Sequence, residues 1–159
     1  MASKIERAKL LATNAHSNHF RRDGKTPYIN HPAQVVQTLL NWGITDEDII
    51  SAAWLHDTVE DTNLTCPDIE KEIGSVVADY VWNLTKVENK DYGKMEQDYI
   101  DKISNAPREV KLIKLADIMA NLLDMHNIPN LDYKFEKYLG KKIKYLRAVS
   151  DNWNNTTQK

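Results

Sequence analysis

Apolar residues recur at three- and four-residue spacing along almost the whole chain, and signals for strands are weak. That pattern restricts the fold to helices packed on helices. Ile5, Ala8, Leu11, Ala12 and Ala15 form the first stripe. A polar loop, 21–30, follows. Pro32 is placed to start the next helix as its first residue, and Gly43 to stop it. Asp46, Glu47 and Asp48 put negative charge at the start of a helix, where its dipole favours it. That helix carries Ile49, Ile50, Ala53 and Trp54 into Leu55-His56-Asp57. Thr65 with Asp68 reads as a capped start, for a short helix ending at Gly74. Val76, Val77, Tyr80, Val81 and Leu84 make another apolar face, 87–93 is a polar loop, and 95–103 is helical again. Pro107 opens a long helix through Met125, with Leu112, Leu115, Ala116, Met119, Leu122 and Leu123 on its apolar side. Phe135, Tyr138, Leu139, Ile143, Leu146 and Val149 mark a last helix that Gly140 breaks or loosens. The expectation is an all-α bundle of seven or eight helices, with one domain over 1–151 and a polar tail over 152–159.

Composition narrows the function classes. A chain of 159 residues can bury one substantial core. Its net charge of −2 gives no basic excess, so stable nucleic-acid binding is not expected. Cys66 is the lone cysteine, which excludes an intramolecular disulfide and argues against a thiolate zinc site. No apolar run is long enough to span a bilayer, and the charge-interrupted N-terminus does not read as a secretory signal. A cytoplasmic protein without a membrane partner is expected; its oligomeric state cannot be read from the sequence.

Three separated segments carry chemistry. Thr26-Pro27-Tyr28-Ile29-Asn30-His31-Pro32 holds a histidine at the mouth of a helix. Leu55-His56-Asp57-Thr58-Val59-Glu60-Asp61 puts an adjacent His-Asp pair on what reads as a helix, with a second acidic pair one turn on. In Lys114-Leu115-Ala116-Asp117-Ile118-Met119-Ala120-Asn121, an aspartate interrupts an apolar helix and Asn121 follows on the same face. Each alone has an ordinary structural explanation. Together, His31, His56, Asp57 and Asp117 are two imidazoles and two carboxylates whose charge balances one divalent cation. Such a set suits manganese, iron or zinc, and with no thiolate present manganese is favoured. An anionic substrate would also need cations, for which Arg21, Arg22, Lys25, Lys86 and Lys114 are candidates. Lys25 and Lys86 could equally be ordinary surface charges.

The ordered set His…His-Asp…Asp resembles that of HD-domain metal phosphohydrolases. The strings RRDGKTPYINHP, LHDTVEDT and KLADIMANL are similar to the hydrolase half of RelA/SpoT-type proteins, and above all to small alarmone hydrolases, including metazoan SpoT homologues. The resemblance covers about 8–125. It implies a compact HD-domain helical bundle acting as a stand-alone hydrolase, without the synthetase domain of the long enzymes. The implied substrate is guanosine 3′,5′-bis(diphosphate), from which water removes the 3′-pyrophosphate with manganese.

Carried over by position, His31, His56, Asp57 and Asp117 match the metal ligands, and Glu60 and Asp61 the acidic pair that handles water. Arg21 and Arg22 lie where basic side chains meet the guanine, and Tyr28 follows in the same loop. Asn121 matches the asparagine near the ribose and 3′-phosphate, and Lys114 a phosphate contact. Ile118 and Ala120 depart from the family, which often has a basic residue and an aromatic or histidine at those places. The alternatives are an HD nucleotidase acting on deoxynucleotides or NADPH, an antitoxin-like module that sequesters a nucleotide or toxin, and a hydrolase of pyrophosphorylated tRNA ends.

Overall fold

The periodicity becomes nine α-helices and one 3-10 turn in the computed structural model, which describes residues 1–153. The rest of the expected polar tail, 154–159, lies outside the described residues. The helices are α1 (Lys4–Ala15), α2 (Asn30–Asn41), α3 (Glu47–Leu55), α4 (Thr58–Asp61), α5 (Cys66–Glu72), α6 (Ser75–Asn83), α7 (Tyr92–Ser104), α8 (Arg108–Leu123) and α9 (Leu131–Ser150), with the 3-10 turn at Met125–Asn127. Helix α4 is a single turn of four residues, so eight helices exceed one turn. Among the described residues the only β pairing is an isolated bridge between Phe20 and Pro27, which closes the loop before α2.

Helix starts follow the capping chemistry of the sequence. Ser3 and Glu6 form a reciprocal capping box on α1, and Thr65 and Asp68 another on α5. Asp46 accepts from the backbone N–H groups of Asp48 and Ile49 at the start of α3. Gly43 ends α2 with φ of 80°, a left-handed conformation that costs glycine little. Helix α2 begins at Asn30, so Pro32 is its third residue rather than its first. Its missing N–H still falls among first-turn donors that have no partner inside a helix. Asp91 caps α7 by accepting from Lys94 N–H at 3.0 Å, so the loop before α7 closes at Asp91 rather than Gly93.

Helix α8 runs through the middle of the molecule, packed against α2, α3, α6 and α9. This changes which of its faces is buried. Val110, Ile113, Ala116, Ile118 and Ala120 are in the core, whereas Met119 and Leu123, expected on the apolar side, are exposed. A helix with several neighbours buries most of its circumference, and a single-stripe reading then selects the wrong edge. Lys111, also fully buried, donates from Nζ to the Asp151 carbonyl just past α9. Helix α9 continues unbroken through Gly140, where an added Cβ would meet nothing within 4 Å. Packing against α7 and α8 holds the helix across a residue of low helix propensity.

Candidate active site

His56 and Asp57 sit at a break between helices rather than within one, because α3 ends at Leu55 and α4 starts at Thr58. Two side chains occupy carbonyls that a continuous helix would use. His56 Nδ1 donates to the Ala53 carbonyl at 2.7 Å, and Thr58 Oγ1 donates to the Leu55 carbonyl at 2.7 Å. The first bond keeps a proton on Nδ1, so Nε2 is the nitrogen that can ligate a metal once it gives up its own proton. That buried Nε2 has no hydrogen-bond partner among the described residues.

Helix α2 brings His31 to the same point, and α8 brings Asp117. His31 Nε2 lies 2.8 Å from Asp117 Oδ1 and 3.7 Å from Asp57 Oδ2. His56 Nε2 lies 3.0 Å from Asp57 Oδ2 and 3.4 Å from Asp117 Oδ1. One donor atom from each of the four residues lies within 4.8 Å of every other. An orphaned imidazole nitrogen facing two carboxylates at this spacing fits a divalent cation. Burial disfavours charge here, yet Asp57 and Asp117 hold His56 protonated well above the ordinary imidazole range. A cation would supply that positive charge in place of a proton.

The carboxylates are themselves positioned. Tyr28 donates from its hydroxyl to Asp57 Oδ2 at 2.6 Å. Lys114, one turn before Asp117 on α8, donates to Asp117 Oδ2 at 2.9 Å, and Asn121, one turn after, donates to Oδ1 at 3.0 Å. Burial resists the charge on Asp117, but Lys114 and the imidazoles hold its carboxyl well below the usual range. Glu60 and Asp61 come off α4 beside Asp57, their carboxylates within 4.8 Å of one another and of Asp57. Glu60 accepts from Lys86 N–H at 2.7 Å. Burial, then the charges of Asp57 and Glu60, push Asp61 up to about 6, and burial also raises Glu60.

This cluster forms the floor of a cavity of about 320 Å³. Arg21, Arg22, Tyr28, Lys114 and Asn121 line it with the four candidate ligands and the Glu60–Asp61 pair. Arg21 is engaged already, donating to Asn121 Oδ1 at 3.2 Å and Asp124 Oδ2 at 3.1 Å, with its guanidinium 5.4 Å from the Tyr28 ring. Arg22 lies 5.5 Å from the Tyr138 ring. Lys25 is exposed and does not reach the cavity. Lys86 does reach it, but its ammonium is committed to Glu96 at 2.6 Å and the Tyr145 hydroxyl at 2.9 Å. Ile118 and Ala120, where the chain leaves the family pattern, are buried core residues of α8 that do not line the cavity.

One wall was not anticipated from the sequence. Tyr138, Lys141, Lys142 and Tyr145 of α9, with Tyr99 of α7, form a further wall of the cavity, and Tyr138 meets Arg22 of the basic loop there. Tyr138, Lys141, Lys142 and Tyr145 recur at helical spacing, which was the available signal, but a face of lysines and tyrosines reads as solvent-exposed.

Residues 8–137 match the family model described as HD domain. The chain is 42% identical over 129 residues to guanosine-3′,5′-bis(diphosphate) 3′-pyrophosphohydrolase MESH1 of Xenopus tropicalis, covering 78% of this chain and 70% of that protein. It is 38% identical over 118 residues to the zebrafish (Danio rerio) protein of the same name, covering 73% of this chain and 66% of the relative. A solved structure described as a metazoan ortholog of SpoT that hydrolyses ppGpp superposes with a TM-score of 0.84, at 27% identity, covering 99% of this chain and 94% of that one.

Proposed function

The chain belongs to the HD domain family, and on that premise we propose that it is a guanosine-3′,5′-bis(diphosphate) 3′-pyrophosphohydrolase, the activity named for its relatives. The observation that carries this reading is the four-residue donor cluster, with a second acidic pair beside it, at the floor of a cavity lined with cations. His31, His56, Asp57 and Asp117 would hold one divalent cation; their mixed nitrogen and oxygen donors suit manganese, iron or zinc, and with no thiolate among them manganese is the one we favour. Bound there, such a cation supplies Lewis acidity toward phosphoryl oxygen and acidifies water.

The chain's own residues supply the rest. Glu60 and Asp61 orient the attacking water and take its proton. Lys114 meets negative charge on the reacting phosphate group, adjacent to Asp117. The water oxygen bonds to the phosphorus attached to the ribose 3′ oxygen, and the bond from that phosphorus to the 3′ oxygen breaks. The 3′ oxygen recovers a proton, and the products are the 5′-diphosphate nucleoside and pyrophosphate. Arg21, Arg22 and Tyr28 hold the base, and Asn121 the ribose. Lys25 has no part in this reading, because it stays outside the cavity.

The working unit is a single domain over 1–151, and among the described residues no helix is long and apolar enough to cross a membrane. We place the protein in the cytoplasm, with a guanine nucleotide as its small-molecule partner and no stable nucleic-acid partner. The test is to mix purified protein, manganese and guanosine 3′,5′-bis(diphosphate) and identify the products by chromatography. Guanosine 5′-diphosphate and pyrophosphate are expected. Release of single phosphates, or equal turnover of deoxynucleoside monophosphates or NADPH, would move the protein to the nucleotidase reading.

A further inference from the structure

Two buried cations line the cavity, and their surroundings differ. Lys114 is paired with Asp117 at 2.9 Å. Lys142, only 8% exposed, makes no hydrogen bond or ion pair among the described residues. Its neighbours are two rings, with Nζ 5.1 Å from the Tyr138 centroid and 5.8 Å from that of Tyr145. Other cations of the wall are neutralised locally. Lys86 and Lys141 share Glu96 at 2.6 and 3.5 Å. An ammonium on a buried side chain with no carboxylate in ion-pair reach is costly, and burial pushes Lys142 down to about 8, against the more distant charge of Asp117. A methionine would fill the same space without that cost. Retaining the charge makes sense if an anion arrives.

The two rings say where that anion sits. Tyr145 also faces Lys114, 4.6 Å from its centroid, at the end of the cavity where Asp117 stands. Tyr138 also faces Arg22, at 5.5 Å, at the end formed by the basic loop. Lys142 lies between them. A phosphate over the metal-ligand cluster is met by Lys114, which leaves Lys142 for a group farther along the nucleotide.

We infer that Lys142 receives a second phosphate group of the substrate, remote from the bond that breaks, so that the site selects nucleotides phosphorylated at two positions. This rests on the proposed function, because it takes the reacting phosphate to lie at the donor cluster. Lys142 is then a specificity-determining residue of that site, contributed by α9.

The test compares two substrates that share the reacting 3′-diphosphate. Guanosine 3′,5′-bis(diphosphate) carries the second group, and guanosine 3′-diphosphate lacks it. In Lys142→Met the KM for the first rises about ten-fold, the loss expected for one charge-assisted hydrogen bond. The KM for the second stays unchanged, and Lys142→Arg restores most of the difference. Metal content stays at the wild-type level and Tm does not fall, which a merely structural lysine would not allow. An unchanged KM for the bis(diphosphate), or an equal rise for both compounds, overturns the assignment. If the wild type hydrolyses neither compound, the proposed function falls, and calorimetric titration of the same two compounds in chelator decides the role of Lys142. A selective ten-fold loss of affinity for the bis(diphosphate) supports it, and equal affinities in wild type and variant overturn it.

Discussion

His56 uses its two ring nitrogens for different tasks, and the division follows from where α3 stops. Nδ1 donates to the Ala53 carbonyl, so Nε2 is the nitrogen that faces the two carboxylates. His56→Ala is therefore expected to lose the metal, and with it the activity, as read by elemental analysis after manganese repletion and gel filtration. Glu60 separates binding from chemistry. It belongs to the acidic pair beside Asp57 and is not among the four donors. Glu60→Gln is expected to keep the metal and lower turnover by about two to four orders of magnitude, the usual reach of a general base. A variant that loses metal in proportion to activity would make Glu60 a ligand instead. The four residues were legible in the sequence as the ordered set His…His-Asp…Asp: imidazoles and carboxylates make poor core material, Asp117 interrupts an apolar helix, and His31 stands at the mouth of one. Lys142 was not legible. A lysine three or four residues from tyrosines on a helix looks amphipathic, and only packing reveals that its side chain is buried in the cavity wall.

At the scale of elements, helix α9 turns an otherwise open groove into a cavity, and it does so through polar links to α7. Tyr145 donates to Glu96 at 2.8 Å and accepts from Lys86 at 2.9 Å. Burial alone would raise Glu96, but the hydrogen bonds from Lys86 and Tyr145, with the charge of Lys141, hold it down to about 2. A carboxylate depressed on folding binds fewer protons in the folded state. It therefore contributes stability above its ordinary value of 4.5, and that contribution is lost as pH falls toward about 2. Glu96→Gln should be less stable than wild type at neutral pH. The two stability curves, followed by urea unfolding, should approach one another across that acid window; parallel curves would remove the linkage. Gly140 tests the same helix differently. It is helical, and an added Cβ meets nothing within 4 Å, so Gly140→Ala should raise stability by about 0.5–1 kcal/mol in urea titrations. The sequence suggested a break there because glycine is a poor helix former, and it placed His56-Asp57 within a helix because nothing local forbids one. Both outcomes depend on bonds and packing that a periodicity does not carry: α7 and α8 against α9 in one case, side chains taking the Ala53 and Leu55 carbonyls in the other.

For the molecule as a whole, the donor cluster ties together three parts of the chain that are distant in sequence: the start of α2, the break between α3 and α4, and the middle of α8. Helix α8 is central, and its Asp117 lies among groups that all need compensating charge. Folding without a cation leaves buried Asp117 and half-buried Asp57 balanced by Lys114 and by a proton on His56. A divalent metal that binds only the folded arrangement stabilises it by mass action, by about 2.7 kcal/mol at a hundred times its Kd. For a chain of this size, about 1 kcal/mol moves Tm by roughly 2–4 °C. Chelation should then lower Tm by about 5–10 °C, and manganese added back should restore it, as followed by calorimetry. Two variants separate this linkage from general stability. Asp117→Ala should remove the metal-dependent part of Tm, because the chain then lacks one of its four donors. Thr65→Ala, which deletes a capping bond of α5 away from the cavity, should lower Tm by the same amount with and without metal. A Tm indifferent to chelator in the wild type would mean that the cluster is held by its own protons and lysine, and that the four residues do not act as a metal site.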